Sequence, residues 1–360
     1  RQLISIIIAA IILRLIHWHF YSSTPFFYHP VVDASAFNIW AKSLSIGKVF
    51  QNDIFFKPPF YPYLLSWFYR VFGQQLEPVY FLQSIAGVLT AVVTFAVGRI
   101  VLPPKGAFGA GMATALLPVL PFLELQLLAE SWTTLLSMVS LYLFLTIGSN
   151  QKRLILSALL LGLATLGRPN MMILLPLMSW WSWRQFGRRR AVIFAVAFII
   201  AILPATVHNL SHGAFIPVSA NLGANLWAGN SPTADGITPI RVGVEWDELQ
   251  LSCKQSGNGS AKDSNKYLTG KAVKYVFANP AHTAGLFVRK AVILFSGEEP
   301  RNNIGIQFLS DELGVKTLHR WWPSTWLLLP FSIVGLVFAR SSNSNLKLIA
   351  LMFTVQAIPV

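Results

Sequence analysis

The chain has 360 residues, of which 54% are hydrophobic and 12% charged, against about 25% charged in a typical soluble domain. A soluble sphere of this size has too little interior to hide so much apolar side chain, so part of the chain must face lipid and a water-soluble enzyme is excluded. Lys and Arg total 28 against 14 Asp and Glu, a net charge of +14 that in a soluble chain would point to nucleic acid, but its distribution argues for membrane topology instead. Cys253 is the only cysteine, which excludes an intrachain disulfide and CxxC zinc or redox chemistry.

Apolar runs able to cross about 30 Å of hydrocarbon are predicted at 2–20, 81–102, 106–123, 131–148, 154–167, 170–183, 191–210 and 322–339, with a ninth starting near 346. The expected fold is an all-α polytopic membrane protein with at least eight or nine transmembrane helices. The first run has no small-x-small cleavage site before Tyr21 and carries Arg14 and His17, so it reads as a retained helix and not as a signal peptide. The chain starts at Arg1 and stops inside the apolar run Leu346 to Val360, and is therefore expected to be a fragment of a longer protein.

With the N-terminus inside, the inner connections hold Arg99 and Lys105, then Lys152 and Arg153, then Arg184 with Arg188, Arg189 and Arg190, then Arg340 and Lys347. That is the positive-inside pattern. The same threading puts Asp33, Asp53, Glu77, Glu124 and Glu130 in outer loops or at outer helix ends, and the remaining nine carboxylates between 211 and 320. Two outer segments, 21–80 and 211–320, are too long for simple connectors, and such segments commonly carry function. This divides the chain into a transmembrane catalytic core, 1–210, a mixed α/β extracytoplasmic insert, 211–320, and further transmembrane helices, 321–360.

In the first outer segment, Asp33 precedes Phe37, Trp40, Ala41 and Leu44 at helical spacing. This predicts an interfacial helix with Lys42 and Lys48 toward the headgroups, for which Asp33 is either an N-cap or a functional carboxylate. Lys57-Pro58-Pro59-Phe60-Tyr61-Pro62-Tyr63 follows, where adjacent prolines fix an extended chain and hold Lys57 in place. The alternative for Lys57 is a lysine snorkelling at the membrane edge. His17 and His19, two apart on a helix, face different sides and do not suggest a metal site, while most Trp residues, including Trp180, Trp181, Trp183, Trp321 and Trp322, read as interface belts.

Arg14 in the first span, Asp33 followed by an aromatic and an A-x-x-L stretch ending in Gly47, and then K-P-P-F-Y together resemble the multi-spanning glycosyltransferases of GT-C type that use lipid-phosphate sugars. The nearest in appearance are the protein O-mannosyltransferases and aminoarabinose transferases. Glu130 in L-A-E-S-W, Gly167-Arg168-Pro169-Asn170, the stretch 224–230 and Asp235-Gly236 extend the resemblance over about residues 10–240. Members commonly carry Asp-Glu and then Tyr in the first loop, whereas here Asp33 is followed by Ala34 and the aromatic is Phe37.

The resemblance implies an inverting glycosyl transfer from a polyprenyl-phosphate sugar. Asp33 is then the general base toward the acceptor hydroxyl, Lys57, Arg168 and Arg14 are the cations for the departing phosphate, and Glu130 is a second carboxylate, with Glu124 its competitor. A structural ion pair between Glu130 and Arg168 is the competing reading, because a membrane-edge acid is costly unless paired, and Arg14 has a snorkelling alternative. The implied partners are membrane lipid, the lipid-linked donor and a protein, lipid or glycan acceptor, with no nucleic acid and with any divalent metal left open. The expected setting is a bacterial inner membrane with the site facing out of the cytoplasm. Two other readings are a flippase for lipid-linked sugars, expected to show inverted repeats, and a lipid-linked polymer ligase, for which His212, His282, Arg289 and His319 would serve. Asn209-Leu210-Ser211 and Asn258-Gly259-Ser260 fit the glycosylation pattern.

The threading makes a direct prediction. Cysteines introduced within 21–80 and 211–320 should react with a membrane-impermeant thiol reagent from outside, and one near Arg189 only after the membrane is opened. Outside labelling near Arg189 would invert the topology.

Overall fold

Long, predominantly apolar stretches wind into three helices of span length in the computed structural model: α1 (Gln2–Tyr21), α4 (Glu77–Val101) and α10 (Arg188–Ser211). The structure describes residues 1–47, 53–236, 243–296, 303–318 and 344–356, and among them the regular structure is entirely helical. The remaining helices of residues 1–210 are α2 (Val32–Ser45), α3 (Phe60–Phe72), α5 (Pro104–Leu116), α6 (Val119–Glu124), α7 (Glu130–Leu145), α8 (Gln151–Gly167) and α9 (Leu174–Phe186).

Several expected spans are shorter than the apolar runs that suggested them. The run 106–123 is broken into α5 and α6 because Leu117, preceding Pro118, takes an extended conformation (φ −76°, ψ 111°), as a residue before proline prefers. Helices α7 and α8, with 16 and 17 residues, reach about 25 Å at 1.5 Å per residue, and α9 has 13. By length and composition, three helices qualify as spans among the described residues. The expected span 322–339, with Trp321, Trp322 and His319, lies outside the described residues, and the start near 346 falls in α16 (Ser344–Gln356).

Helix α1 packs on α4 and α5, α4 on α7, α7 on α8, and α8 on α10. The α7–α8 hairpin turns at Asn150, whose Oδ1 accepts from the backbone N–H of Lys152 (3.0 Å) and Arg153 (3.3 Å), an N-cap arrangement. Midway along it, the Ser140 and Ser157 hydroxyls each donate to the other's carbonyl at 2.8 Å, a polar clasp of the kind that joins helices where lipid offers no hydrophobic drive. Against α10, Gly162 lets the backbones close: a Cβ there would lie 2.5 Å from Ala201 Cβ and 2.9 Å from the Phe198 carbonyl oxygen.

Helix α2 buries Ala34, Phe37, Trp40, Ala41 and Leu44, the face predicted from spacing. That face packs on α3 and the core cluster around Tyr61, Leu65 and Phe68 and so is turned to protein, not to the membrane interface. Lys48 lies outside the described residues.

Within 211–320 the structure contains α11 (Leu222–Asn230), α12 (Val244–Gln255), α13 (Ala261–Ala278), α14 (Pro280–Ser296) and α15 (Ile306–Asp311). The mixed α/β insert is therefore corrected to a helical one among its described residues. Residues 272–277, with Val273, Tyr275, Val276 and Phe277 of types favoured in strands, lie in α13, which Ser260 starts by accepting from the Asp263 N–H (3.1 Å) while donating to its carboxylate (2.6 Å). Once nucleated, the helix is kept by burial of Leu268 and Ala272, and tertiary packing overrides local β preference.

The Gly162 contact predicts that Gly162→Val lowers stability by about 1–3 kcal/mol, the usual range for overpacking, read as a fall in the thermal unfolding midpoint of the purified protein. Unchanged stability would mean that α8 and α10 are not this close.

Candidate active site

The loop carrying Lys57 is strapped to the end of α10. Asn209, fully buried, accepts from the Phe55 N–H through Oδ1 (2.8 Å) and donates through Nδ2 to the carbonyls of Ile216 (2.9 Å) and Val218 (3.0 Å). The Phe55 ring stacks on His208 at 4.1 Å, and His208 Nε2 lies 3.0 Å from the Asp53 carbonyl oxygen. Asn209 is thus committed on both ends of its amide and is not an available glycosylation site in the folded chain. From this strap Lys57 reaches the Asp33 carboxylate and makes an ion pair with it, the side chains being 29% and 40% exposed. The Phe37 ring lies 5.7 Å from the ammonium.

Asp33 does not cap α2. The cap position is Val31, which makes no side-chain cap bond, and Asp33 sits in the first turn, where the helix dipole favours a carboxylate. Val32 beside it has φ 52°, a left-handed conformation that a β-branched residue adopts only under strain and that is typical of functional positions. The Asp33 N–H is 3.5 Å from Oδ1 of Asn303, whose Nδ2 is buried without a partner among the described residues.

Glu130 opens α7, and Arg168 follows α8, which stops because Pro169 holds Arg168 extended (φ −139°, ψ 94°). Their side chains meet in a second ion pair, with Arg168 45% and Glu130 14% exposed. The surrounding protein desolvates the guanidinium and lowers its pKa from the ordinary value, and the Asp33 carboxylate opposes that shift. The two pairs are brought into neighbouring positions where Gly167, beside Arg168, meets the K-P-P-F-Y segment: a Cβ there would lie 3.2 Å from the Phe60 ring. The structural-pair reading of Glu130 with Arg168 is realised in geometry.

Arg14 does not join this group. Its Nη2 donates to Glu124 Oε1 at 2.6 Å, both side chains being buried (5% and 2% exposed), and its Nη1 donates to the Ala10 carbonyl (3.0 Å). Where the resemblance implied a phosphate cation at Arg14, the structure has a buried pair with Glu124, which lies at the end of α6 and is engaged by Arg14 and not by the Lys57 and Arg168 group. The snorkelling alternative also falls. The pair fits because position 87 on α4 is glycine: a Cβ there would overlap both Glu124 Oε1 and Arg14 Nη2.

Gln83 locks the two halves of the site together. It accepts from the Tyr61 hydroxyl (2.7 Å) and donates to the carbonyls of Glu124 (2.6 Å) and Gln126 (2.8 Å), so the K-P-P-F-Y segment and the stretch leading to Glu130 share one buried amide. Gln83, Gly87 and Asn303 escaped the sequence reading, and Asn209 entered it only as a glycosylation pattern. Gln83 and Asn303 carried no chemistry-bearing pattern of their own, and a single glycine on an apolar helix is unremarkable until its neighbours are known. His17, fully buried, shares a hydrogen bond with Thr317 Oγ1 (2.6 Å) and stacks on Tyr21.

The ordering of these groups along the chain can be compared with known proteins. Residues 56–208 match the dolichyl-phosphate-mannose-protein mannosyltransferase family. Lys57, Gln83, Glu124, Glu130 and Arg168 lie inside the matched stretch, and Arg14 and Asp33 precede it. No curated protein sequence matches the chain. Together with helices of span length, the family match indicates a membrane glycosyltransferase that uses a lipid-linked sugar.

Arg14→Leu alone should strand a buried carboxylate and cost about 3–5 kcal/mol, whereas Arg14→Leu combined with Glu124→Leu should recover most of it, since an apolar pair replaces a buried ion pair at little cost. Thermal unfolding of the three proteins checks this, and equal losses in the single and double variants would contradict it.

Proposed function

We propose that the protein is an inverting glycosyltransferase that moves a sugar from a polyprenyl-phosphate donor to an acceptor hydroxyl at the extracytoplasmic face of a bacterial inner membrane. The observation that carries this reading is the convergence of Asp33, Lys57, Glu130 and Arg168, from four separate elements, into two adjacent and partly exposed ion pairs. The family match over 56–208 supports it.

Partly exposed pairs of this kind are held by only about 0–1 kcal/mol, so the singly charged phosphodiester of an incoming lipid-phosphate sugar competes for both cations, and its second negative charge develops only as the sugar departs. Lys57 and Arg168 turn to the phosphate as the bond between the anomeric carbon and the phosphate oxygen breaks, and they offset the charge that collects on that oxygen. Asp33, released from Lys57, takes the proton of the acceptor hydroxyl as its oxygen bonds to the opposite face of the anomeric carbon. A single displacement inverts the configuration. Glu130 orients Arg168 and, once freed, is available to the acceptor.

Residues 1–210 make up the catalytic core in this reading, crossed by more helices than the three of full span length, and 321–360 continue the membrane part. The 211–320 segment covers the site. Support for a cover comes from Asn303 beside Asp33 and from Trp246, whose ring lies 5.8 Å from Phe56 next to Lys57.

Asp33→Asn should reduce transfer of radiolabelled sugar from polyprenyl phosphate by about 10²–10⁴, the usual weight of a general base, with membrane insertion intact. Lys57→Ala should weaken binding of the carrier phosphate without acceptor, and Lys57→Arg should keep part of it, because charge is retained while the point geometry changes. Transfer near wild-type level in Asp33→Asn, or unchanged carrier affinity in Lys57→Ala, would remove the corresponding role.

A further inference from the structure

Behind Glu130, where α4, α6 and α7 meet, the structure encloses a cavity of about 20 Å³ whose walls include Gly87, Glu124, Glu130, Ser131 and Thr134. Two polar atoms of these wall residues are buried with no hydrogen-bond partner among the described residues: Oε2 of Glu124, whose side chain is 2% exposed, and Oγ of Ser131, which is 7% exposed. A buried acceptor left in that state costs about 1–3 kcal/mol. A polar void of at least about 10–15 Å³ accommodates one water when two to four polar groups surround it.

The charge balance selects among small guests. Glu124 is neutralised by Arg14 and Glu130 by Arg168, so the two carboxylates present no net charge that would draw in a cation. A neutral guest that donates two hydrogen bonds and accepts others matches the wall: carboxylate oxygens only accept, while the Ser131 hydroxyl turns to donate or accept.

We propose that this cavity is a water-binding site and that the water couples the buried Arg14–Glu124 pair to Glu130. It donates to Glu124 Oε2 and to the Glu130 carboxylate and shares a hydrogen bond with Ser131 Oγ. It thereby fixes the rotamer from which Glu130 holds Arg168. Ser131 and Glu124 are positioning residues in this arrangement, acting through the water on a carboxylate that itself meets the substrate-binding arginine. The coupling to catalysis rests on the transferase reading above, whereas the presence of the water does not.

The test pairs a map of the protein in lipid nanodiscs, at a resolution that shows ordered water, with a transfer assay, on wild type, Ser131→Val and Ser131→Ala. A water peak within hydrogen-bonding distance of Glu124 Oε2 and Ser131 Oγ is expected in wild type, absent from Ser131→Val, whose added methyl groups fill the cavity, and retained in Ser131→Ala. Transfer by Ser131→Val should fall about tenfold, the weight of one lost hydrogen bond, at unchanged affinity for the carrier phosphate, with Ser131→Ala between it and wild type. An empty cavity in wild type, or a peak with the short, many-oxygen coordination of a metal ion, overturns the water site. Loss of the water in Ser131→Val without loss of transfer overturns the coupling. If wild type transfers no sugar from polyprenyl phosphate while the water peak is present, it is the transferase reading that fails and not the water site.

Discussion

A guanidinium and a carboxylate buried to 5% and 2% exposure in an apolar bundle are held only by each other and by a few backbone groups. The Arg14–Glu124 pair therefore dictates how α1, α4 and the segment 124–130 meet. Such a pair contributes little net stability, since desolvation consumes most of the Coulombic gain, but it tolerates no slippage, because either charge left alone is far costlier. Gly87 is the concession that α4 makes to it. Gln83 then clamps the carbonyls of Glu124 and Gln126 from the same helix, and Glu130 enters α7 from a stretch already pinned at three points.

The two pairs at the site obey a different rule. Lys57–Asp33 and Arg168–Glu130 keep between 14% and 45% of their side chains exposed, so water competes for them and exchange with a ligand costs little. A rigid buried pair behind and two exchangeable pairs in front suit the proposed transfer: in that reading the cations are neutralised until a phosphate arrives, and the scaffold that aims them is held separately by the buried pair. Strain at Val32 sits where Asp33 is aimed, and the packing of α2 on α3 provides the surrounding structure able to hold it.

The outer segment is joined to the core by contacts that hydropathy does not register. Thr317 meets the buried His17 of α1, Phe308 stands edge-on to Phe26, and Asn303 lies against the start of α2. Each contact falls within residues 17–33, so parts of the two long polar segments, 21–80 and 211–320, pack against one another and against the end of α1.

Composition and hydropathy alone determined that this is a helical membrane protein, which end of each helix carries the cations, and which face of α2 is buried. These properties follow from residue type and spacing, which act locally. The order of Asp33, Lys57, Glu130 and Arg168 was equally legible, because each lies beside a proline or at a helix start where the backbone restricts itself. Pairing was not legible. Lys57 with Asp33, Arg168 with Glu130 and Arg14 with Glu124 join residues 24, 38 and 110 positions apart, and only packing decides which cation reaches which carboxylate. That is why Arg14, which the family resemblance placed among the phosphate ligands, belongs to the interior, why α5 and α6 part at a proline within one apolar run, and why residues 272–277 are helical. In each case a distant contact or a single backbone restriction outweighed the local pattern.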